Sequence, residues 1–218
     1  MHRKDGLPGM VIFFGPDGVG KTTQSRLVLK YLASRNRRVS FVWIRGGHTL
    51  AFVLSKLFVR LGYYQTVRTP SGSSYRVFDP RLLPKLSHLW ALIEFVSVLP
   101  IILYKVYLRR ILGYTIVADR YVVDTVVYLS YWLGPAARTV SKFLLRLVPQ
   151  DAVMIHLDAE TPVLKARLLD DTSPMGFVVY QRMLYRRLSA SLGAATIDTT
   201  NRGIEETFKD VIATLNSD

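Results

Sequence analysis

A glycine-rich segment, GPDGVGKT (residues 15–22), carries the clearest chemical signal in the sequence. Its spacing is G-x-x-x-x-G-K-[ST], and it lies between an apolar strand-like run (10–14) and a segment with helical spacing (22–34). Glycines allow the chain to turn tightly, so backbone N–H groups can approach phosphate oxygens, and the start of the following helix adds partial positive charge. The pattern predicts a site for a nucleoside triphosphate.

The side chains of this segment have separate expected roles. Lys21 is expected to reach the terminal phosphates, and the hydroxyl of Thr22 is expected to bind Mg²⁺. Asp17 is unusual because a carboxylate repels a polyphosphate. We expect it to bind Mg²⁺ through water, or to hold an arginine or sugar hydroxyl of a second substrate; a simple turn cap is the structural alternative. The residues expected to contact the triphosphate are Gly15, Pro16, Asp17, Gly18, Val19, Gly20, Lys21, Thr22 and Thr23.

Charged residues follow two further strand-like runs. Asp119 and Arg120 come directly after YTIVA (114–118), and Arg45 follows VSFVWI (39–44). Because parallel strands end at the same edge of a sheet, these residues are expected to lie beside GPDGVGKT. Asp119 then fits a magnesium ligand, and the two arginines fit an acceptor phosphate. A surface ion pair at Asp119 and Arg120, and a strand cap at Arg45, are the alternatives.

The elements that must position these residues follow from the alternation of short β-rich runs with longer helical segments. The five runs are 10–14, 39–44, 114–118, 152–157 and 195–199. This order predicts an α/β, three-layer P-loop NTPase fold: a five-stranded parallel sheet flanked by helices, with a small lid. The 218 residues fit one domain, 1–218. Residues 168–180 are the expected lid, and 63–85 are the expected acceptor-side insertion, most loop-like over 63–80.

Composition narrows the classes of partner. The net charge is +13, and between Asn36 and Ala118 there are 12 Lys and Arg against two acids, Asp79 and Glu94. This balance predicts anionic partners. The chain has no cysteine, which excludes disulfides, thiolate metal sites and cysteine nucleophiles. Its four histidines have no metal-ligand spacing.

One stretch, LWALIEFVSVLPIILYKVYL (89–108), is apolar over nearly a membrane-spanning length. Glu94, Pro100 and Lys105 interrupt it, which favours a buried helix bent at Pro100. A peripheral membrane role is the weaker alternative. The apolar run near the start of the chain is too short for a signal peptide. We therefore expect a cytoplasmic protein without stable membrane insertion.

Taken in order, these motifs resemble the thymidylate kinase family. The resemblance rests on GPDGVGKTTQ (15–24), Arg-Gly-Gly (45–47), DRY (119–121), LDAETP (157–162) and IDTTN (197–201), and it spans essentially the whole chain. It implies transfer of the γ-phosphate of ATP, with Mg²⁺, to a deoxynucleoside monophosphate, with dTMP as the first choice. It also implies a homodimer, with Leu86–Leu103 and Val122–Leu133 as candidate interface helices.

The resemblance assigns roles to individual residues. The catalytic set is Asp17, Lys21, Asp119, Arg120 and Arg182. The acceptor-binding set is Asp17, Arg45, Trp90, Arg120 and Tyr121. Arg167 and Asn201 match positions that hold the adenine, and Thr22 and Asp119 match the magnesium site.

Two departures from the family pattern concern arginines. The long helix that reads thymine carries Trp90 and Glu94 here but no arginine, and neither Val19 nor the lid segment supplies the usual catalytic arginine. Arg182, or Arg68 or Arg76 of the 63–80 segment, could replace it.

Two other classes of function remain open from the sequence. A deoxynucleoside kinase has a hydroxyl acceptor and would want a carboxylate where Arg45 stands. A P-loop ATPase associated with nucleic acid would account for the positive charge. The arginine after the second strand favours the monophosphate kinase.

Overall fold

The computed structural model describes residues 7–68, 74–167 and 175–217. Its strands are β1 (Met10–Phe14), β2 (Val39–Val42), β3 (Tyr64–Arg68), β4 (Ser74–Phe78), β5 (Thr115–Asp119), β6 (Ala152–Asp158) and β7 (Ala195–Asp198). Five of them form a parallel sheet in the order β2–β5–β1–β6–β7, and β3 and β4 form an antiparallel hairpin. The predicted five-stranded parallel sheet is therefore confirmed.

Helices cover both faces of this sheet. They are α1 (Lys21–Ser34), α2 (Thr49–Arg60), α3 (Ser87–Ile102), α4 (Arg109–Ile111), α5 (Val122–Leu133), α6 (Arg138–Leu145), α7 (Thr161–Arg167), α8 (Met175–Ser191) and α9 (Ile204–Ser217). A π-helical segment, Leu103–Leu108, joins α3 to α4, and short 3₁₀ turns occupy Pro80–Leu82, Pro84–Leu86 and Gly134–Ala137.

The central strand β1 shows how the sequence produces these layers. Side chains alternate between the faces of a strand, so Met10 and Ile12 join one core cluster while Val11 and Phe13 join the other. All five residues of β1 are buried because helices cover both faces. The first cluster includes residues of α3, α5 and α6, and the second includes residues of α1 and α9.

The acceptor-side insertion is more regular than the sequence indicated. Residues expected to be loop-like form the hairpin β3–β4, with Tyr64 opposite Phe78. The guanidinium of Arg76 lies 4.5 Å from the ring centre of Tyr64. The tip of this hairpin, and residues 168–174 of the expected lid, lie outside the described residues. The described part of the lid segment forms the first turns of α8.

The apolar segment 89–108 is helical but it is not a buried helix, so that expectation was wrong. The helix from Pro84 to Ile111 has a mean hydropathy of 1.9 over its most apolar window, and only 33% of that window is buried. Within the described chain it is the one helix long and apolar enough to cross a membrane, a test that some core helices of soluble proteins also pass. One side of α3 packs on the domain through Trp90, Val98 and Ile102.

The other candidate interface helix, α5, belongs to the core. Val122, Val123 and Val127 have no exposed surface, and Leu129 is equally buried. Packing between the sheet and the neighbouring helices uses most of its apolar surface. The expectation that Val122–Leu133 supplies a subunit interface is therefore not supported.

Candidate functional site

The loop between β1 and α1 has a backbone that depends on its glycines. At Gly15, φ is 144°, and a Cβ atom would lie 2.1 Å from the carbonyl oxygen of Leu157, so a side chain cannot fit. Gly18 and Gly20 adopt φ values of 85° and 90°, in the left-handed region that favours glycine. α1 begins immediately after Gly20, so its N-terminus faces the loop. This is the arrangement that a phosphate-binding loop requires.

Lys21 lies folded against this loop. Its Nζ donates hydrogen bonds to the carbonyl oxygens of Gly15 (2.8 Å) and Pro16 (2.5 Å), and the side chain is buried. Burial, assisted by the nearby positive charge of Arg120, lowers the pKa of Lys21 to about 8. A phosphate bound in the loop would supply the negative charge that a buried ammonium favours.

Thr22 and Asp119 form the pair of oxygen ligands expected for Mg²⁺. The hydroxyl of Thr22 donates to Oδ2 of Asp119 at 2.6 Å, and Asp119 ends β5 next to the loop. The other carboxylate oxygen, Oδ1, is buried and has no hydrogen-bond partner among the described residues. A hydroxyl beside an unsatisfied carboxylate oxygen fits Mg²⁺, which commonly takes one or two protein oxygens, with phosphate and water completing its shell.

Asp17 lies among three cations. Its carboxylate is hydrogen-bonded to the guanidinium of Arg120, and it lies 3.6 Å from Nζ of Lys21 and 3.9 Å from the guanidinium of Arg45. Burial alone would raise the pKa of Asp17, but these three charges together lower it to about 2. We call Asp17, Arg45 and Arg120 the acceptor-side cluster.

Contacts fix both the backbone and the side chain of Arg120. Its φ of 75° is unusual for a residue other than glycine, and its N–H donates to the carbonyl of Phe13. One guanidinium nitrogen contacts Asp17, and another contacts Oδ1 of Asp124 at 3.3 Å. Burial would lower the pKa of Arg120, but Asp124 and Asp17 raise it above its ordinary value.

Asp124 supports Arg120 from the buried side. The hydroxyl of Tyr185, on α8, donates to its Oδ1 at 2.8 Å. Burial raises the pKa of Asp124, against the opposing effects of Arg120 and Lys21. The sequence reasoning missed this pair. Asp124 stands only five residues after Asp119, but its contact with Tyr185 joins residues 61 positions apart, which no local pattern shows.

The loop that carries Arg45 is tied to α3 by Glu94. The N–H of Gly47 donates to Oε2 of Glu94 at 2.8 Å, and the N–H of Arg45 donates to Nε2 of His48 at 3.2 Å. Glu94 is buried, and its burial raises its pKa to about 7 although hydrogen bonds from Gly47 and Trp90 oppose this. The helix that lacks the expected arginine therefore carries a carboxyl group that anchors the loop.

A cavity of about 240 Å³ opens on the other side of the phosphate-binding loop. Gly18, Gly20 and Thr23 line one wall, and the segment that begins α9 lines the opposite wall. Arg167 completes it and donates hydrogen bonds to Oγ1 of Thr199 (3.1 Å) and to the Thr199 carbonyl (2.7 Å). Arg167, which the resemblance assigns to the adenine, therefore lines a cavity next to the phosphate-binding loop.

Two arginines of α8 converge on one carboxylate at the end of β6. Arg182 donates from Nε to Oδ1 of Asp158 at 2.9 Å, and Arg186 donates from Nε to Oδ2 at 2.7 Å. Asp158 is buried, while Arg186 is the more exposed arginine. Asp158 and Arg186 were not among the sequence-predicted site residues, although Asp158 directly follows the predicted strand 152–157 and lies within LDAETP.

Three predicted site residues lie away from the positions expected for them. Trp90 packs among apolar rings, 4.5 Å from the ring centre of Phe78. Tyr121 has no exposed surface, and its hydroxyl donates to the carbonyl of Leu147. Asn201 is exposed and does not line the cavity beside Arg167. Tyr121 lies in the turn between β5 and α5, and its side chain points into the core below the sheet edge.

The strand order and the loop at the end of β1 define a P-loop α/β fold. Among solved structures, the chain has the fold of thymidylate kinase from Ehrlichia chaffeensis, with a TM-score of 0.61 and 18% sequence identity. The match covers 94% of this chain and 97% of that chain. No protein-family model and no curated protein sequence matches the chain. The fold expected from the sequence is thereby confirmed.

Proposed function

We propose that this protein is a nucleoside monophosphate kinase that transfers the γ-phosphate of ATP to a deoxynucleoside monophosphate, with dTMP as the first candidate. The acceptor-side cluster carries this proposal. Arg45 and Arg120 are brought to the phosphate-binding loop from two different strand ends, although Lys21 and the loop already provide for a triphosphate. Two guanidinium groups at this place suit a second phosphate group.

The charge on Asp17 favours a phosphate acceptor over a hydroxyl acceptor. A hydroxyl must lose a proton when it attacks, so its kinase needs a carboxylate that can act as a base. The pKa of Asp17 is about 2, and its carboxylate is already bound to cations. A phosphate monoester is already an anion at neutral pH and needs positioning rather than deprotonation. The deoxynucleoside kinase is therefore the less favoured alternative.

The donor would be ATP with Mg²⁺. In this arrangement the loop and Lys21 hold the β- and γ-phosphates, and the base enters the cavity beside Arg167. Thr22 and Asp119 would hold Mg²⁺, which would supply positive charge next to the phosphates. Arg120 lies between Asp17 and Asp124, so it is held in position to bind the acceptor phosphate close to the γ-phosphate.

Arg182 is our candidate for the arginine that the loop lacks. Asp158 holds it at the end of β6, next to β1 in the sheet. Release from Asp158 when ATP binds would let its guanidinium approach the transferring phosphoryl group, where positive charge stabilises the transition state. Arg186 is held by the same carboxylate and could substitute for it.

We also propose a cytoplasmic location, where ATP is supplied. The homodimer that the resemblance implies stays a proposal without an assigned interface. The choice of dTMP rests on the family resemblance and on the fold shared with the thymidylate kinase of Ehrlichia chaffeensis. Because α3 has no arginine to read the base, the acceptor base is the first property to measure.

The deciding experiment is a phosphoryl-transfer assay with ATP, Mg²⁺ and each ribo- and deoxynucleoside monophosphate in turn. We expect a diphosphate product, and we expect no product when Mg²⁺ is chelated. Nucleosides without a phosphate form the second set of acceptors. Product from nucleosides alone would replace the proposal with the deoxynucleoside kinase, and absence of product with every acceptor would refute both kinases.

A further inference from the structure

An apolar surface lies on the outer side of α2 and α3, away from the nucleotide site. We define it by Val53, Leu57, Leu89, Leu92, Val96 and Leu103, each of which is between 47% and 63% exposed. The three α3 positions and Leu103, the first residue of the π-helical segment that continues α3, recur at intervals of three, four and seven residues, so they share one helix face. Isolated exposed leucines are common, but a continuous set of this kind marks an interaction surface.

The two helices lie side by side, which makes the surface continuous. At one end, Thr49 and Ala51 are hydrogen-bonded to Ser97. At the other end, the rings of Phe58 and Trp90 lie 5.9 Å apart. The start of α2 therefore meets the later part of α3, and the end of α2 meets its beginning, so Val53 and Leu57 flank the apolar stripe of α3.

Basic side chains and no exposed acids accompany this surface. Lys56 and Arg60 on α2, Lys85 before α3 and Lys105 after it are all exposed. From residue 36 to residue 150 the acids are Asp79, Glu94, Asp119 and Asp124, and all four are buried. Every exposed charge that residues 36–150 contribute around the apolar surface is thus positive.

This distribution discriminates between the two simplest occupants. A second copy docked through the same face would bring basic side chains against basic side chains, with no exposed acid from this half of either chain to pair with them. An anionic bilayer surface has the opposite charge and an apolar interior that accepts leucine and valine side chains.

Two cavities at the ends of the surface add to its suitability for lipid. A cavity of about 420 Å³ lies beside Tyr104 and Leu108, with Arg109 in its wall. A second, of about 40 Å³, is lined by apolar side chains including Leu86 and Leu89. A guanidinium next to apolar walls suits a lipid phosphate with its adjoining chain.

We propose that the protein docks peripherally on an anionic lipid bilayer through the α2–α3 apolar surface. The helix does not leave the domain to do so, since Trp90, Val98 and Ile102 pack in the core and Glu94 is bonded to Gly47. Docking therefore inserts only the outward side chains, with the basic residues at the headgroups. This proposal is independent of the acceptor that the kinase uses.

The test is flotation of the full chain with vesicles of phosphatidylcholine, with and without phosphatidylglycerol. We expect binding to the anionic vesicles that is at least about tenfold tighter than to the neutral ones, because the basic side chains are attracted to the negative headgroups. Val53→Glu should weaken binding to anionic vesicles by about tenfold or more, because it places a carboxylate in the apolar surface.

Matched variants separate this effect from general changes in charge. Val179→Glu introduces the same charge at an exposed valine of α8, outside the apolar surface, and should bind vesicles like the wild type. Lys56→Glu should weaken binding, whereas Lys30→Glu on α1 should do so much less. Thermal melting shows that each variant is folded before it is compared.

Measuring the oligomeric state in solution can contradict the lipid proposal. Sedimentation without lipid should show that Val53→Glu leaves the state of the wild type unchanged. If the wild type fails to bind anionic vesicles, or if Val53→Glu converts a dimer into a monomer, the lipid proposal is overturned. In the second case the apolar surface belongs to a second copy of the chain.

Discussion

A carboxylate within a phosphate-binding loop is stable here because cations surround it. Asp17 contacts Arg120 and lies within 4 Å of Lys21 and Arg45. Its pKa of about 2 means that it stays ionised at every pH at which the protein would work. Asp17 therefore holds the two arginines of the acceptor-side cluster together. Because one carboxylate faces two guanidinium groups, the cluster keeps a net positive charge.

Arg45 gives the most direct test of that cluster. Arg45→Ala should raise the KM for the acceptor monophosphate by about tenfold to a hundredfold, because hydrogen bonds to charged groups contribute about 1.5–3 kcal/mol. The KM for ATP should change by no more than about twofold, since the donor phosphates are held by the loop. Initial rates with each substrate varied in turn measure both constants.

Arg26→Ala is the matched control, because Arg26 is an exposed arginine of α1. It should leave both constants unchanged. An equal rise of the two KM values in Arg45→Ala would show that Arg45 supports the whole site rather than the acceptor phosphate.

Lys21 predicts a pH dependence of ATP binding. Its pKa is lowered to about 8 from an ordinary value of 10.5, so the free protein loses this positive charge as the pH rises through about 8. Bound phosphates favour the charged form, and binding above this pH must therefore take up a proton. The Kd for ATP should be constant near neutral pH and should rise by up to about tenfold per pH unit above about pH 8.

Titration calorimetry across this pH range measures the effect. Lys21→Arg is the comparison, since a guanidinium remains protonated throughout. Its Kd, whatever its absolute value, should lack the rise above about pH 8. A parallel rise in both proteins would assign the titration to another group.

At the level of the elements, strand ends account for most of what the sequence predicted. Asp119 and Arg120 could be placed near the loop because apolar runs identify buried parallel strands, and such strands end at one edge. Contacts between distant segments could not be predicted in this way. Asp124 with Tyr185, and Asp158 with Arg182, depend on how α8 packs against the sheet.

Trp90 and α3 show a second limit of prediction from the sequence. Periodicity identifies a helix and its apolar content, but it does not say which of several apolar faces is covered. The sequence prediction therefore buried the whole segment, whereas the structure leaves much of it exposed. It also assigned Trp90 to the acceptor, whereas α2 and the hairpin supply Phe58 and Phe78 to enclose it.

Glu94 joins two elements, α3 and the loop after β2, and it gives a prediction on stability. Burial raises its pKa from 4.5 to about 7. The folded state therefore binds this proton more tightly than the unfolded chain, and the resulting stabilisation is complete below pH 4.5 and is lost as the pH rises through about 7. Glu94→Gln keeps an oxygen for the N–H of Gly47 and does not lose this contribution.

We expect Glu94→Gln to become progressively more stable than the wild type as the pH rises from about 4.5 to about 7, by about 1–3 kcal/mol in the free energy of unfolding, and the difference to level off at higher pH. Denaturant unfolding of both proteins at several pH values measures the difference. Glu206→Gln, at an exposed position of α9, should show no such trend. A pH-independent difference would mean that Glu94 does not titrate in this window.

For the whole molecule, the distribution of charge matters more than the total of +13. All the acids between residues 36 and 150 are buried, and each contacts a basic side chain, a hydroxyl or a backbone N–H in the structure. Exposed acids, such as Glu205 and Glu206, lie on the later part of the chain. The exposed charges of residues 36–150 are therefore all positive, and nucleic acid would bind to these residues under the remaining alternative function.

The last prediction separates that alternative from the kinase. Binding of an oligonucleotide by scattered surface charge should weaken steeply with salt, because it depends on the release of counterions. Transfer between ATP and a monophosphate should depend less on salt, since the acceptor-side cluster is partly buried and close charges there are screened less. We expect neither single- nor double-stranded DNA to stimulate ATP turnover. Turnover with and without DNA, at low and physiological salt, measures this. Stimulation by DNA in the absence of any monophosphate would identify a nucleic-acid-dependent ATPase. A monophosphate kinase has no reason to respond to DNA, because its partly buried acceptor-side cluster suits a small phosphate rather than a polymer.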